Sequence, residues 1–424
     1  MSTELFVFCV MVTAFAGGVF WLRIPSGLAL ALAALLGALA GGKGLPVRHL
    51  VEGMFGYLDA VLIIATAMVF MKAIQASGAL GTLSHVMIRG LYRSPTLLMI
   101  FVMAFVMFPG MLTGLSSVCI LTTGALVAPA MLAFGMPRKA LAAFLAIGGV
   151  LGMIAPPVNI PVMIIGGGVD MPYIGFEKPL LLAAGPLACA TAVYYRIRYR
   201  NSFQPDRLLT NLPETLHAKH GSKLFLPLVI VIGLMVAIRT VPQWIPDIGI
   251  PLVFVIGTLA AVGTGERVRL GAVAREGIRD ALPVMSILVG VGMLVQIMTL
   301  TGVRGLLAVS ALQVPSVMLF VGIALVMPAF GSAYASASVV GIPFLFAFLG
   351  QNEIMIASGL SLIAGLGDLM PPPLLLCVLG GQVVGEKSSF GILKEALIPI
   401  LAAETCGILL IAYSRELGAF LGAG

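Results

Sequence analysis

The chain has 424 residues, of which 60% are hydrophobic and only 10% are charged, and its formal net charge is +7. An average soluble domain carries about 25% charged residues, and a single soluble core stops growing near ~250–300 residues. The composition therefore excludes a water-soluble protein and predicts an all-α integral membrane protein. The positive charge is expected in cytoplasmic loops rather than in a nucleic-acid interface.

Apolar segments that reach or approach the length of a membrane span follow one another along the chain. The first, Leu5–Trp21, has no basic residue before it, so we expect a span rather than a cleaved signal peptide. Continuous spans are predicted at about 4–22, 25–41, 57–77, 178–198, 222–240, 248–264, 282–300 and 396–414. The protein is therefore expected to cross the membrane many times.

Two apolar stretches, at about 96–134 and 314–349, are too long for one crossing and are broken near their middles. The first break runs PGMLTGLSS from Pro109, and the second runs PAFGSAYAS from Pro328. Both tips are rich in small and polar residues and contain no charged residue, whereas a loop in bulk water usually contains charged residues. We therefore expect two re-entrant helical hairpins; two full crossings in each stretch are the alternative.

Two other spans, at about 138–168 and 354–384, contain consecutive prolines. Proline removes an amide donor and clashes with the preceding turn, so a helix does not run through such a sequence. Unwound backbone at membrane depth is tolerated only where it is buried in protein or lines a watery cavity. Both spans are therefore predicted to be discontinuous helices.

The order of hairpin and broken helix occurs twice, which predicts a duplicated fold. Pro109 and Pro328 lie 219 residues apart, and Pro156 and Pro371 lie 215 residues apart. We predict two repeats, at 1–198 and 222–424, joined by a cytoplasmic linker at 199–221. This orientation places 17 lysines and arginines on the cytoplasmic side and six outside, with Lys72 inside a span. The first hairpin then enters from the cytoplasm and the second from outside, so the repeats are inverted.

Inverted repeats with paired broken helices are the sequence signature of a secondary transporter whose site lies near the midplane. The amide end of a half-helix attracts a carboxylate, and the carbonyl end can coordinate Na⁺, with serine and threonine hydroxyls as further neutral ligands. An intramembrane enzyme is disfavoured because the sequence has no HExxH, GxSxG or paired GxGD-like motif. A channel is the other alternative, but it needs no duplicated discontinuous site.

The motifs of the two halves resemble one known family. The first half contains TGLSSV, LVAPAM and GVLGMIAPPVNIP, and the second contains VVGIPFLFAFLG and LIAGLGDLMPPPLLLCVLGG. In this duplicated order they resemble the large, DctM-type permease subunit of tripartite ATP-independent periplasmic (TRAP) transporters, in the ion transporter superfamily. The resemblance covers essentially the whole chain. The sequence departs from the family's tip pattern at Leu115 in the first tip and Tyr334 in the second.

The resemblance implies a sodium-coupled importer of a small organic acid, such as a C4-dicarboxylate, a sialic acid or a related carboxylate, in the bacterial inner membrane. It implies an elevator-type transport domain plus a scaffold. It also implies two partners, a small four-helix membrane subunit and a periplasmic substrate-binding protein. Na⁺ would be the coupling ion, with no other cofactor. A stand-alone sodium-coupled di- or tricarboxylate symporter of the same superfamily is the alternative.

By motif position, the resemblance also implies one sodium or substrate site in each half. The first site would use Thr113, Gly114, Ser116, Ser117, Pro156, Pro157 and Asn159. The second would use Gly331, Ser332, Ser336, Ser338, Asp368, Pro371 and Pro372. For the tip hydroxyls the alternative is a hydrogen bond back to the preceding helical turn. For Asn159 the alternative is a helix cap.

Several charged residues fall within or beside the predicted spans. Asp59 and Asp280 are expected at helix starts on the membrane surface, where an acid favours the helix dipole. Lys72 is expected to extend its ammonium towards the interface. Glu404 remains a functional candidate, as intramembrane charge is by default. Residues Arg267–Arg279 are expected to form an amphipathic helix on the cytoplasmic surface.

Overall fold

Helices make up all the regular structure in the part of the chain that the computed structural model describes, which is residues 2–204, 216–240, 246, 248–311 and 314–422. Within those ranges, eight helices are long and apolar enough to cross a membrane. Residues 205–215 of the predicted linker lie outside the described residues. The prediction of an all-helical, multi-pass membrane protein is confirmed.

The first half opens with helices that precede its hairpin. They are Thr3–Ala16 with its extension Gly17–Trp21, Ser26–Ala40, Val47–Phe55, Leu58–Ala76 and Ala79–Leu91. Val47–Phe55 and Ala79–Leu91 were not predicted, because both are too short to span a bilayer and mix polar with apolar residues. Asp59 lies in the first turn of Leu58–Ala76, as its expected place at a helix start requires.

The first hairpin consists of Pro95–Thr113 and Ser116–Ala133. The first broken helix follows, as Arg138–Ile154 and Ile160–Gly167, and the half closes with Glu177–Arg198. Glycines allow the hairpin to lie directly against the broken helix, because a Cβ on Gly152 would stand 2.5 Å from the Met107 carbonyl oxygen. The backbones of the two elements are thus in contact.

The second half repeats this order after a different set of opening helices. Those are His217–His220, Gly221–Phe225, Leu226–Thr240, Ile250–Thr264, Leu270–Leu300 and Val303–Ala311. The second hairpin consists of Ser316–Ala329 and Ala333–Phe346, and the second broken helix of Glu353–Leu366, its short extension Gly367–Leu369 and Leu375–Val384. Ser389–Ala412 and Ser414–Leu421 end the described chain.

The helix Leu270–Leu300, called the long helix below, corrects two expectations. Asp280 lies inside it, about three turns from its start, rather than at a helix start, and the predicted surface helix at Arg267–Arg279 is largely the first part of it. Packing on both sides of Pro283 holds the helix together. A Cβ on Gly277 would stand 2.8 Å from the Val69 backbone, and one on Gly290 would stand 2.4 Å from the Gly27 carbonyl oxygen.

Lys72 contacts the long helix. Its ammonium lies 2.7 Å from the Asp280 carboxylate, a partner that the sequence did not indicate. The last predicted span, 396–414, also begins earlier, at Ser389, because the Ser388 hydroxyl caps the first turn by accepting from the Gly391 amide.

The helices pack in two groups. The long helix lies mainly against Ser26–Ala40, Val47–Phe55 and Leu58–Ala76. The first arm of the first broken helix, Arg138–Ile154, packs mainly on the first hairpin and on the second arm of the other broken helix. The functional residues predicted from the sequence belong to the second group, and a cavity separates their tips from the long helix.

Candidate functional site

The tips of the two hairpins meet at the break in the second broken helix. The Ser116 hydroxyl donates to Oδ2 of Asp368 at 2.7 Å, and the Ala333 amide donates to Oδ1 of the same carboxylate at 2.9 Å. The Tyr334 hydroxyl donates to the Gly114 carbonyl oxygen at 2.9 Å. Asp368 is 3% exposed, so one buried carboxylate joins both tips.

Each tip turns on a glycine in the left-handed region, where residues with a side chain are strained. Gly114 has φ +67°, and a Cβ there would stand 2.5 Å from the Ile160 side chain. Gly331 has φ +64°, and a Cβ there would stand 1.8 Å from the Pro372 carbonyl oxygen. Each tip is therefore in close contact with the break of the broken helix in its own half.

Asn159 organises the break in the first broken helix. Its Oδ1 accepts from the Val162 amide at 2.9 Å, which caps the second half-helix. Its Nδ2 donates to the Ile154 carbonyl oxygen at 2.9 Å and to the Ser361 hydroxyl at 3.0 Å. The side chain thus caps one half-helix, holds the other and reaches the second broken helix. These bonds give the capping alternative direct geometric support.

The Tyr173 hydroxyl forms two hydrogen bonds with the backbone of the same break. It donates to the Pro157 carbonyl oxygen at 3.1 Å and accepts from the Asn159 amide at 3.2 Å. The Val158 amide donates to the Met111 carbonyl oxygen at 3.1 Å, which ties the break to the first hairpin. Backbone carbonyls and amides at the break, which have no partners within a helix, thereby form hydrogen bonds inside the protein.

The predicted tip hydroxyls differ in how they are used. Thr113 donates to the Pro109 carbonyl at 2.7 Å and Ser338 to the Ala335 carbonyl at 3.0 Å, as in the back-bonding alternative. The Ser336 hydroxyl is fully buried and has no hydrogen-bond partner within the described part of the chain. A buried polar atom of this kind is uncommon in proteins and calls for a ligand or a role.

A cavity of about 660 Å³ lies between the tips and the long helix. Six of the predicted site residues line it, namely Ser116, Ser117, Gly331, Ser332, Asp368 and Pro372. The others do not line it, namely Thr113, Gly114, Pro156, Pro157, Asn159, Ser336, Ser338 and Pro371. The structure therefore brings residues of both halves to one cavity.

The lining also contains residues that sequence reasoning did not place in the site. Phe15 and Phe20 come from the first helix, and Arg279 and Asp280 from the long helix. The sequence did contain a signal for the charged pair, because both residues border a strongly apolar segment. Nothing in the sequence indicated which of the other elements they would face.

The chemistry of this arrangement suits a hard monovalent cation and an anion better than a transition metal. The tips contribute hydroxyl and carbonyl oxygens, and Asp368 contributes one carboxylate beside them. Among the described residues, no group of three or more His, Cys, Asp or Glu side chains is placed to hold a metal ion. Discontinuous helices with such oxygens are what secondary transporters use for Na⁺ and for carboxylate substrates.

Two solved structures share this fold. The YdaH transporter of Alcanivorax borkumensis is similar with a TM-score of 0.60 and 16% identity, over 99% of each chain. MtrF of Neisseria gonorrhoeae, described with a class of antimetabolite efflux pumps, has a TM-score of 0.60 and 15% identity, over 87% of this chain and 84% of its own. At these identities the likeness concerns the fold alone.

Sequence comparison identifies the family. No curated protein matches the sequence. The profile described as "Tripartite ATP-independent periplasmic transporter, DctM component" matches residues 20–417. This match covers nearly the whole chain and includes both hairpins and both broken helices, so the chain belongs to the DctM component family of TRAP transporters.

Proposed function

We propose that this chain is the large transmembrane subunit of a Na⁺-coupled TRAP transporter that imports a small organic acid across the bacterial inner membrane. Family membership implies association with a small membrane subunit and a periplasmic binding protein. One observation carries the proposal: both hairpin tips and the second break converge on one cavity of about 660 Å³. Secondary transporters bind their substrates where discontinuous helices meet in this way.

Sodium coupling is supported by the kind of atoms at the tips. The Asp368 carboxylate supplies one anionic ligand, and the tips supply hydroxyls and carbonyls. The unpartnered Ser336 hydroxyl is a further oxygen in the second tip, and a bound ion would satisfy it. In the first half, Ser116 and Ser117 remain the candidate side-chain ligands, because the Thr113 hydroxyl is occupied by the Pro109 carbonyl and the Leu115 amide.

An organic acid is supported by the helix ends at the cavity. Ser116–Ala133 and Ala333–Phe346 both begin at a tip, where the positive end of a helix dipole favours a carboxylate. The cavity volume lies within the range of roughly 300–1,000 Å³ that small-molecule sites occupy. The proposal thus extends to a C4-dicarboxylate, a sialic acid or a related carboxylate.

An elevator movement is supported by the two packing groups. The hairpins and broken helices pack with one another, and the long helix packs mainly with the opening helices of the first half. The cavity lies between these two groups. We propose that the hairpins and broken helices slide along the long helix and its neighbours and carry the solute with them.

The test is uptake of radiolabelled organic acids into proteoliposomes that hold either this chain alone or the chain with its small membrane subunit and loaded binding protein. We expect saturable uptake with all three components and little with the chain alone. Robust uptake by the chain alone would instead support the stand-alone carboxylate symporter. No uptake of any acid by the complete system would contradict the proposal.

A further inference from the structure

Arg279 lies on the wall of the cavity that faces the hairpin tips, and its side chain is exposed. We propose that Arg279 is the anion-recognising residue of this cavity and holds the carboxylate of the transported solute against the long helix. The proposal deepens the proposed function and rests on it for the identity of the solute. It makes a claim about the cavity that can be tested without transport.

The charges around the cavity point to Arg279 by elimination. The cavity lining contains three charged residues, Arg279, Asp280 and Asp368. Asp368 is buried and accepts hydrogen bonds on both carboxylate oxygens. The Asp280 carboxylate contacts the Lys72 ammonium at 2.7 Å. In the described part of the chain, Arg279 forms no ion pair with any acid.

Asp280, the acid next to Arg279 in the cavity wall, is already paired. Consecutive residues of a helix point in different directions, and the Asp280 carboxylate contacts the Lys72 ammonium. This partner from Leu58–Ala76 neutralises the Asp280 carboxylate, so the wall keeps one uncompensated positive charge. A fixed positive charge on a wall of low dielectric constant attracts an anion to that wall. The guanidinium also matches a carboxylate with two parallel hydrogen bonds.

The backbone around Arg279 is held in place. Two residues earlier, Gly277 lies so close to Leu58–Ala76 that a Cβ would stand 2.8 Å from the Val69 backbone. The backbone that carries Arg279 is thus held in one packing group, while the tips and Asp368 belong to the other. A solute whose carboxylate is bound to Arg279 would lie between the two groups.

A positive charge that serves only lipid headgroups is the competing explanation, and Arg275 provides the matched control. It lies one helical turn earlier on the same helix and is also exposed, but it does not line the cavity. A headgroup role would make the two arginines equivalent. If the charge acts in the cavity, only the substitution of Arg279 should change the electrostatic potential there.

The experiment measures the charge in the cavity with reagents of opposite sign. Leu121 lines the cavity and is 51% exposed, so a Leu121→Cys thiol reports on it. Cys9, Cys189 and Cys406 are replaced by alanine, and the buried Cys119 and Cys377 are retained. The full chain in detergent is treated with an anionic sulfonatoethyl and a cationic trimethylammonioethyl methanethiosulfonate, and the ratio of the two rates is determined.

We expect the anionic reagent to be favoured with Arg279 present. Arg279→Gln should lower the ratio about fivefold, as removal of one unit charge at roughly 8 Å in water-like surroundings implies. Arg279→Lys and Arg275→Gln should leave the ratio near the parental value. In the complete transporter, Arg279→Gln should raise KM for the acid more than it lowers kcat.

An unchanged ratio in Arg279→Gln, or an equal fall in Arg275→Gln, would overturn the proposal even if Na⁺-driven uptake is found. Conversely, a fall confined to Arg279→Gln would stand even if the complete system transported no organic acid. The two proposals therefore fail independently.

Discussion

The Ser116 hydroxyl and the Asp368 carboxylate, 252 residues apart in the sequence, form a hydrogen bond of 2.7 Å. Ser116 begins the second arm of the first hairpin, and Asp368 precedes the prolines of the second broken helix. The other oxygen of Asp368 accepts from the tip of the second hairpin. The two halves of the fold thus share one buried carboxylate, which links their tips directly.

Replacing tip hydroxyls should lower the apparent affinity of the transporter for Na⁺. Ser116→Ala and Ser332→Ala each remove a neutral oxygen ligand, at a cost of about 1–3 kcal/mol, so the Na⁺ concentration needed for uptake should rise about five- to hundredfold. Ser116→Ala should also lower the melting temperature, because it removes a donor to the buried Asp368 carboxylate. The measurement is uptake against Na⁺ concentration in proteoliposomes with all three components.

Ser94→Ala is the control for these variants, since Ser94 is exposed at the start of the first hairpin and its side chain makes no capping bond. It should keep the parental Na⁺ curve. If both tip variants also keep that curve at normal protein levels, these hydroxyls do not hold the ion.

The second tip should tolerate no side chain at Gly331. A Cβ there would stand 1.8 Å from the Pro372 carbonyl oxygen, so Gly331→Ala must separate the tip from the break. We expect loss of uptake and a lower melting temperature. Gly350→Ala is the matched control, because Gly350 has φ +85° but no atom within 4 Å of its Cβ position. Its cost should be backbone strain of about 1–2 kcal/mol. Equal effects of the two substitutions would show that backbone strain rather than contact with the break matters.

Lys72 and Asp280 should be energetically coupled. Their side chains are 25% and 46% exposed, so solvent screens the pair, and we expect a coupling energy of about 0.2–1 kcal/mol. Chemical denaturation in detergent of Lys72→Met, Asp280→Asn and the double variant measures this energy as a double-mutant cycle. Strictly additive effects would mean that the contact contributes nothing to stability.

Acidification should loosen the contact between the turn at Glu266 and the segment before Leu226–Thr240. The Lys219 ammonium and, to a lesser degree, the His220 ring hydrogen-bond the carboxylate and hold the pKa of Glu266 below its usual range. Because the pKa is lower in the folded state, the ionised carboxylate stabilises the fold at pH values above its unfolded pKa of about 4.3. This stabilisation is lost as the pH falls through the folded-state pKa.

Hydrogen exchange at the Glu266 amide, which donates to the Ser77 carbonyl oxygen at 3.2 Å, reports this loss. After correction for intrinsic rates, we expect protection to fall between neutral pH and about pH 3, below the unfolded value of about 4.3. In Glu266→Gln, protection should be lower at neutral pH and should show no further step. The same acid step in that variant would assign it to another group.

The interruptions in the hydrophobic pattern were sufficient to predict the hairpins and broken helices. Proline and glycine act on the local backbone, and the helices do end near Gly114 and Pro156, although Pro109 lies inside Pro95–Thr113. The long helix was mispredicted for the opposite reason. Packing of Gly277 and Gly290 against other helices outweighs the local effect of Pro283, and that packing is not visible in the sequence.

The partners of the site residues could not be predicted in the same way. The Ser116–Asp368 and Asn159–Ser361 contacts join elements more than 200 residues apart, and no periodicity encodes them. Family resemblance implied a site in each half, and the sequence did not indicate that six of these residues, from both halves, line one cavity. The ligand sets themselves stay predictions.

The most direct test of the central claim is the initial rate of organic-acid uptake by the complete transporter under an inward Na⁺ gradient, under an equal K⁺ gradient, and under a Na⁺ gradient collapsed by an ionophore. Sodium coupling through the joined tips predicts saturable uptake only with the Na⁺ gradient intact, and its loss in Asp368→Asn. Equal uptake with K⁺, or uptake driven by a proton gradient without Na⁺, would contradict the account.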